Sequence, residues 1–220
     1  MNLSGIKALG DDSMVGWQCP PYWNSYKSST DGIMKATIRR EMIARRNSLT
    51  NEAVMEKSAL IQKRALELPI YRESKTIGLY ASFNNEVSTY IIFDKALEDG
   101  KKVLFPYIRK ADRELAFLPV RGLDELELGQ FGIMMPPFGE GKDDYIGDIE
   151  LLLIPGVSYD LKGGRIGYGG GFYDRTLHKL AKLPFIVALA YEFQVSDELP
   201  MLPHDVRVNA VVTEKRVIVC

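Results

Sequence analysis

Hydrophobic and polar positions follow two periods along most of the chain. From Gly32, apolar residues recur at helical spacing, and a second helix is predicted from an N-cap at Thr50 to about Leu68, where Pro69 ends it. Downstream, short apolar runs rich in β-branched residues alternate with helical segments. The predicted strands are 76–80, 102–106, 115–120, 149–154, 185–189, 210–213 and 216–219, and the predicted helices are 88–99 and 172–183. This alternation predicts an α/β domain with a largely parallel sheet.

The pattern divides the chain into two parts. Residues 1–30 mix Gly, Pro, Ser and aromatic residues without the continuous apolar stretch of a secretory signal, which indicates an irregular N-terminal extension. Residues 31–220 show no repeat and no linker, so we expect a single α/β domain there. Residues 136–148, rich in Pro, Gly and Asp, are predicted to form a mobile loop.

Composition narrows the class of protein. With 220 residues, 46% of them hydrophobic, the chain can bury a full core, and its net charge of -1 gives no bulk reason to expect nucleic acid or a membrane surface as partner. No apolar segment approaches the roughly 20 residues that cross a bilayer. The only cysteines, Cys19 and Cys220, are too few for a disulfide scaffold. We therefore expect a soluble protein of the reducing cytoplasm.

A glycine-rich segment is the strongest chemical signal. Residues 163–175 read GGRIGYGGGFYDR, directly after an apolar strand pattern and before a helical one. Closely spaced glycines let successive backbone N–H groups face one anion, and Arg165 and Arg175 add charge. Asp174 follows where Mg²⁺ bridging phosphates could be held. The spacing fits neither a Walker A loop nor a dinucleotide fingerprint, and an ordinary glycine turn is the alternative.

Basic residues follow one face of the first predicted helix. Lys35 and Arg39 are one turn apart and point the same way, which suits a polyanion. The other cations of that face are Arg40, Arg45 and Arg46, and the apolar residues opposite are Ile33, Ile38, Met42 and Ile43. The alternative is a solvated basic face.

Further candidates follow the carboxyl ends of predicted strands, where open α/β sheets bind ligands. Glu86 could bind the ring N–H and amino groups of a heterocycle, or it could cap the helix that begins near Ser88. Aromatic faces for a flat ring could come from Tyr80, Phe83, Tyr107, Phe131 and Tyr173, with core packing as the alternative for each. The lone histidines, His178 and His204, do not make a metal site.

The segment 164–174 resembles the glycine-rich signature of the 5-formyltetrahydrofolate cyclo-ligases, also called 5,10-methenyltetrahydrofolate synthetases. That signature is Arg-Leu/Ile-Gly-x-Gly-x-Gly-Phe/Tyr-Tyr-Asp. Other segments similar to the family follow in order: Lys35 with Arg39, residues 85–89, Pro106, and residues 131–133, 155–157, 188–190 and 204–205. The resemblance covers about residue 34 to the C-terminus. The chain departs from the family at Met135, where a Glu is frequent, and at Asn209, where an Asp is expected.

The resemblance implies a fold and a set of site residues. The fold would be a three-layer α/β/α arrangement of the NagB/RpiA/CoA-transferase-like kind, with a largely parallel sheet. ATP would contact Lys35, Arg39, Gly164, Arg165, Ile166, Gly167, Tyr168, Gly169, Gly170, Gly171, Phe172, Tyr173 and Asp174. Catalytic roles would fall to Arg165, Lys35 and Arg39, substrate contacts to Tyr80, Glu86, Tyr107, Phe131 and Tyr173, and Mg²⁺ to Asp174 and Asp205.

It also implies a reaction. ATP would drive the cyclisation of 5-formyltetrahydrofolate, with or without a polyglutamate tail, to 5,10-methenyltetrahydrofolate through a phosphorylated formyl group. No nucleic acid, membrane or obligate protein partner is expected. Two alternatives stay open. One is a nucleotide- or folate-binding protein without turnover, which the departures at Met135 and Asn209 would suit. The other is a phosphosugar isomerase-like enzyme with Glu86 as base.

Overall fold

The computed structural model describes residues 30–138 and 143–220. The predicted extension therefore lies outside the described residues except for Thr30, as do residues 139–142 of the predicted loop. The helices are α1 Thr30–Asn47, α2 Asn51–Leu66, α3 Pro69–Glu73, α4 Tyr90–Glu98 and α5 Phe172–Leu177. The strands are β1 Thr76–Gly78, β2 Lys102–Arg109, β3 Glu114–Pro119, β4 Glu127–Leu128, β5 Met134–Met135, β6 Leu151–Ile154, β7 Ser158–Asp160, β8 Arg165–Ile166, β9 Phe185–Leu189, β10 Val195–Ser196, β11 Ala210–Val212 and β12 Val217–Val219.

A seven-stranded sheet forms the centre of the described fold, in the order β12-β11-β9-β6-β1-β2-β3. Its five inner strands pair in parallel, and the edge strands β12 and β3 are antiparallel to their neighbours. Leu152 of β6 pairs with Gly78 of β1 on one side and with Ile186 of β9 on the other. The prediction of an α/β fold with a largely parallel sheet is confirmed.

Both faces of this sheet are buried. Leu151 and Leu153 pack into a cluster with Ile61 of α2 and Ile92 of α4, whereas Leu152 and Ile154 pack into a second cluster on the opposite face. That second face is covered by α5 and by a small sheet of β10, β7 and β8. Burial on two faces explains why the strands are continuous apolar runs rather than alternating ones.

Several predicted boundaries differ from the structure by two residues or more, and three of them have a clear local reason. Helix α2 ends at Leu66, and Pro69 starts the separate helix α3 because proline suits the first turn of a helix. Helix α5 ends at Leu177 instead of 183, and the chain continues through tighter turns in which the N–H of Leu180 donates to Leu177 O at 3.1 Å. Strand β2 extends past Pro106 to Arg109 because β3 pairs with it from Leu104 to Arg109.

Candidate functional site

The glycine-rich segment contains two structures with different roles. Its first two glycines belong to a hairpin turn, residues 160–164, between β7 and β8. Asp160 accepts hydrogen bonds from the N–H groups of Gly164 at 2.6 Å, Lys162 at 2.9 Å and, from another segment, Leu199 at 3.0 Å. Gly163 has φ 80°, and a Cβ there would lie 2.3 Å from the carbonyl oxygen of Val208. This turn is closed by its own hydrogen bonds, and the Gly164 N–H is already used.

The glycine loop, residues 167–171, is open by contrast. Within the described residues, no backbone N–H group of this loop donates a hydrogen bond. Gly169 and Gly171 have φ 97° and 67°, which is the left-handed region that favours glycine. Gly171 also forms the N-cap of α5, so Asp174 lies in the first turn of that helix. Free N–H groups in a glycine loop suit an anion.

Cations from two other segments surround this loop. Arg39 donates from Nε to the Gly167 carbonyl oxygen at 2.8 Å, and Lys35 forms a close ion pair with Asp205. Burial lowers the pKa of Arg39, and the charge of Asp205 opposes that shift. Arg165, which is buried, pairs through Nη2 with Asp174 Oδ1 at 3.0 Å. The basic face of α1 is therefore directed in part at the loop.

Asp174 and Asp205 also come together at this point. Asp174 Oδ1 accepts from the N–H of Val206, the residue after Asp205, at 3.1 Å. Within the described residues, the second oxygens, Asp174 Oδ2 and Asp205 Oδ1, make no hydrogen bond. No group of three or more metal-ligating side chains forms there either. Two carboxylate oxygens fit Mg²⁺, which takes one or two carboxylates and completes its shell with water and phosphate oxygens.

A buried carboxylate lies on the other side of the loop. Glu86 is 5% exposed, its Oε2 accepts from the N–H of Phe83 at 3.2 Å, and its Oε1 lies 3.8 Å from Arg46 Nη1 without any hydrogen-bond partner in the described chain. Burial raises the pKa of Glu86 to about 7, against the opposing effects of Arg46, the Phe83 N–H and Tyr168. Helix α4 begins at Tyr90 with Thr89 as its N-cap, so Glu86 does not cap it.

The recess around Glu86 is formed by the carboxyl ends of three adjacent strands. Tyr80 follows β1, Pro155 follows β6, and Leu189 ends β9. The Tyr80 side chain is buried, and its hydroxyl donates to the Val87 carbonyl oxygen at 2.7 Å. Its hydroxyl is therefore used within the fold, while its ring lines the recess beside Glu86.

Two more predicted aromatic residues lie elsewhere, Tyr107 at a separate cleft of about 270 Å³ and Phe131 next in sequence to Gln130, which lines that cleft. Tyr107 lines this cleft and stacks on Phe138 at 4.9 Å between ring centroids. Phe131 is 45% exposed and has φ 60°, and its ring lies 6.3 Å from that of Phe172 in α5. Phe131 is thus not a core residue. Gln130, also lining the cleft, has a buried Oε1 without a hydrogen-bond partner in the described chain.

Sequence reasoning missed several polar residues around the site. Arg46 was grouped with the basic surface of α1, yet its side chain is buried and its Nη2 contacts the hydroxyl of Tyr168. Tyr159 has a buried hydroxyl with no hydrogen-bond partner within the described residues. Arg46 carries no sequence signal beyond its place on the helix. Only the fold shows that Arg46 contacts Tyr168 and Glu86.

Comparison with known proteins decides the family. The model of the 5-formyltetrahydrofolate cyclo-ligase family matches residues 32–214 of this chain. The chain belongs to this family. A cyclo-ligase of Mycolicibacterium smegmatis is 32% identical over 189 residues, which cover 84% of this chain and 96% of that protein. A cyclo-ligase of Haemophilus influenzae is 34% identical over 171 residues, covering 77% and 91%.

A solved structure agrees with the cyclo-ligase assignment. The 5,10-methenyltetrahydrofolate synthetase of Aquifex aeolicus is 32% identical and has a TM-score of 0.74, with coverage of 84% of this chain and 92% of its own. The predictions of the family, of an enzyme and of the fold class are confirmed. The individual site residues remain predictions.

The two departures from the cyclo-ligase pattern have structural explanations. Met135 is a buried residue of β5, and a Cβ on Gly129 would lie 2.2 Å from its Cε atom, so the two are tightly packed. Asn209 accepts a hydrogen bond at Oδ1 from the Ile186 N–H at 2.8 Å. An amide oxygen accepts that bond as a carboxylate oxygen would. Both residues therefore serve the packing of the fold here.

Proposed function

We propose that this chain catalyses the ATP-dependent cyclisation of 5-formyltetrahydrofolate to 5,10-methenyltetrahydrofolate, with release of ADP and phosphate, in the cytoplasm. The observation that carries the proposal is the juxtaposition of two unlike sites. The open glycine loop has cations and two carboxylates beside it, and its Tyr168 also reaches the buried group of Arg46 and Glu86. A polyphosphate and a hydrogen-bonding heterocycle can thus bind side by side. Within the described chain, no helix is long and apolar enough to span a membrane.

The chemistry requires activation of the formyl group. The oxygen of the N5-formyl group attacks the γ-phosphorus of ATP, the bond to the bridging oxygen breaks, and ADP leaves. The formyl carbon then carries a phosphate ester and iminium character. N10 attacks this carbon and loses its proton, and the carbon–oxygen bond breaks to release phosphate. Such steps need alignment and charge stabilisation more than a covalent nucleophile.

The residues around the glycine loop supply that stabilisation. The free N–H groups of residues 167–171 would bind phosphate oxygens, and Lys35, Arg39 and Arg165 would neutralise the charge that develops there. Mg²⁺ would be held by Asp174 and Asp205, and when bound it supplies charge neutralisation between phosphate oxygens. The Gly164 N–H already donates to Asp160, so it is not one of the proposed phosphate contacts.

The residues around Glu86 would orient the folate. The unpartnered Oε1 of Glu86 would accept from the ring N–H and amino groups of the pteridine. Tyr173, whose ring lies 5.8 Å from the Arg165 guanidinium carbon, would place an aromatic face next to the reacting centre. Tyr107 and Phe131 would contact the part of the substrate that extends toward the aromatic cleft. Tyr80 would contribute only its ring.

The test is absorbance in the methenyl-folate band after the purified chain is mixed with 5-formyltetrahydrofolate, with and without Mg-ATP. We expect a rise only when both substrates are present, with ADP formed in equal amount. Binding of both ligands without this rise would point to a non-catalytic binder. Turnover of a phosphosugar without ATP would point to the isomerase-like alternative.

A further inference from the structure

The buried Arg46 connects the two halves of the proposed site, which are the glycine loop and the segment around Glu86. Within helix α1, whose 18 residues are all described, Arg46 is the only buried residue. The guanidinium is 1% exposed, and its Nη1 lies 3.5 Å from the Gly156 carbonyl oxygen at the end of the β6 segment. A charged group is taken out of water only at a considerable cost, which is offset when it is paired. The burial of Arg46 therefore indicates that its charge has a specific role.

The contacts of Arg46 reach both halves. Nη2 contacts the hydroxyl of Tyr168 in the glycine loop, and Nη1 lies 3.8 Å from Glu86 Oε1. The guanidinium carbon is 5.4 Å from the centre of the Tyr168 ring. The backbone adds a further link, because the Asn85 side chain donates to the carbonyl oxygen of Arg46 at 3.3 Å. Helix α1, the glycine loop and the Glu86 segment therefore meet at one side chain.

The separation between Arg46 and Glu86 has a chemical consequence. At 3.8 Å the two charges attract strongly in a buried site, yet the distance is too long for a hydrogen bond. Glu86 Oε1 therefore has no hydrogen-bond partner in the described chain, and Arg46 Nε also has none. The arginine can favour the ionised carboxylate while it leaves the lone pairs of Oε1 available to a ligand.

We propose, resting on the proposed function, that Arg46 is a positioning residue whose charge favours the ionised form of Glu86 for folate binding and which fixes Tyr168 of the nucleotide loop beside it. Arg46 itself touches no substrate in this proposal. It acts on folate through the charge of Glu86 and on ATP through the hydroxyl of Tyr168. One side chain therefore joins folate recognition to the arrangement of the phosphate-binding loop.

Other titratable groups around Glu86 do not account for the same pH behaviour. The groups that face it, besides Arg46, are Tyr80, Tyr159, Tyr168, Tyr173 and Tyr191. Burial raises the pKa of each of these tyrosines above its ordinary value. Glu86, with a pKa of about 7, is then the group of this cluster that titrates near neutrality. Removal of Arg46 raises the pKa of Glu86 further.

The experiment measures kcat and KM for 5-formyltetrahydrofolate and for Mg-ATP across pH in wild type, Arg46→Gln, Arg46→Lys and Tyr168→Phe. In Arg46→Gln the acid limb of kcat/KM for folate should move up by about 1 to 2 pH units, and at pH 7 this parameter should fall by about tenfold. The loss should diminish as pH rises. Arg46→Lys, which retains the charge but not the fork of donors, should show a smaller shift.

Tyr168→Phe separates the effect of Arg46 on Tyr168 from its effect on Glu86. It removes the hydroxyl that contacts Arg46 without removing a cation, so the KM for Mg-ATP should rise while the acid limb for folate moves less than in Arg46→Gln. Lys95→Gln is the matched control, since Lys95 is an exposed residue of α4 whose ion pairs are with Glu98 and Asp99. That variant should retain the wild-type pH profile.

A folded Arg46→Gln variant with the wild-type acid limb and folate KM would overturn the proposal. Circular dichroism and thermal melting establish folding, and if Arg46→Gln does not fold, an unchanged KM for Mg-ATP in folded Tyr168→Phe is the overturning result. Calorimetry of 5-formyltetrahydrofolate binding across pH repeats the comparison without turnover. Absence of methenyl product in wild type would defeat the proposed function, whereas an upward shift of the pH dependence of binding would still support the role of Arg46.

Discussion

Asp160 and Glu86 are both buried carboxylates, but their surroundings are opposite. Asp160, at the end of β7, accepts three backbone N–H groups at 2.6 to 3.0 Å. Glu86, downstream of β1, accepts one at 3.2 Å and keeps Oε1 without a partner in the described chain. Buried polar groups in folded proteins are normally satisfied. The comparison separates a carboxylate that maintains the fold from one whose buried oxygen is left without a hydrogen bond in the described chain.

The same contrast extends along the glycine-rich segment. The hairpin turn that Asp160 closes uses the N–H of Gly164, whereas the glycine loop that begins three residues later has N–H groups that donate no hydrogen bond within the described residues. Arg165, between them, pairs with Asp174 across the loop. Stability and function should therefore respond to different residues of one short segment, and substitutions can test this.

The largest effect on stability should come from Asp160→Ala. It leaves the N–H groups of Gly164, Leu199 and Lys162 without their acceptor, the first two of them buried, so we expect the free energy of unfolding to fall by about 4 kcal/mol. Denaturant unfolding measures this loss, and turnover per folded molecule should stay near the wild-type value. Asp160→Asn is the matched control, because one amide oxygen can retain part of the bonding and should reduce the loss. Loss of turnover in the folded fraction would contradict a purely structural role.

Arg165→Ala should affect activity instead. In the proposed function Arg165 lies next to the transferring phosphoryl group, so its removal should lower kcat by about 100- to 1,000-fold. Steady-state methenyl formation measures the change, and circular dichroism checks that the fold is retained. Near-normal turnover in a folded variant would show that Arg165 has no catalytic role. Asp174→Ala, which removes the partner of Arg165, should also abolish turnover.

The pKa of Glu86 predicts a pH-dependent stability. Its pKa is about 7 in the folded state against an ordinary value of 4.5, because burial favours the neutral acid. This shift stabilises the folded state by about 3 kcal/mol. The stabilisation is fully present below pH 4.5 and is lost as the pH rises through 7. The stability of Glu86→Gln relative to wild type should therefore increase over this range. A difference that does not change with pH would contradict the shifted pKa.

The smallest effect should be that of Gly171→Ala, compared with Gly163→Ala. Both glycines have positive φ, but a Cβ on Gly163 meets a backbone oxygen at 2.3 Å, whereas one on Gly171 meets the far end of the Arg175 side chain at 2.9 Å. We expect Gly171→Ala to cost about 1 kcal/mol of stability, and Gly163→Ala to cost more. Thermal melting ranks the two variants. Equal losses would remove the distinction between the closed turn and the open loop.

Local pattern was sufficient for much of the fold and part of the site. Apolar runs such as Leu151–Ile154 predicted strands because both faces of the sheet are buried. Lys35 and Arg39 were predicted as a pair because helical spacing alone gives them a common direction. The short strands β7, β8 and β10 were not predicted, because two or three residues carry no usable period.

The sequence by itself determined the α/β class, the glycine-rich segment and the family, because each depends on residues that are close together in the chain. Tertiary structure alone decided which glycines form a closed turn, which keep free N–H groups within the described residues, and which carboxylate is satisfied. Arg46 meets Tyr168 across 122 positions of sequence, and Asp160 meets Leu199 across 39. Burial and hydrogen bonding at such distances depend on how the elements pack, and no local period records that packing.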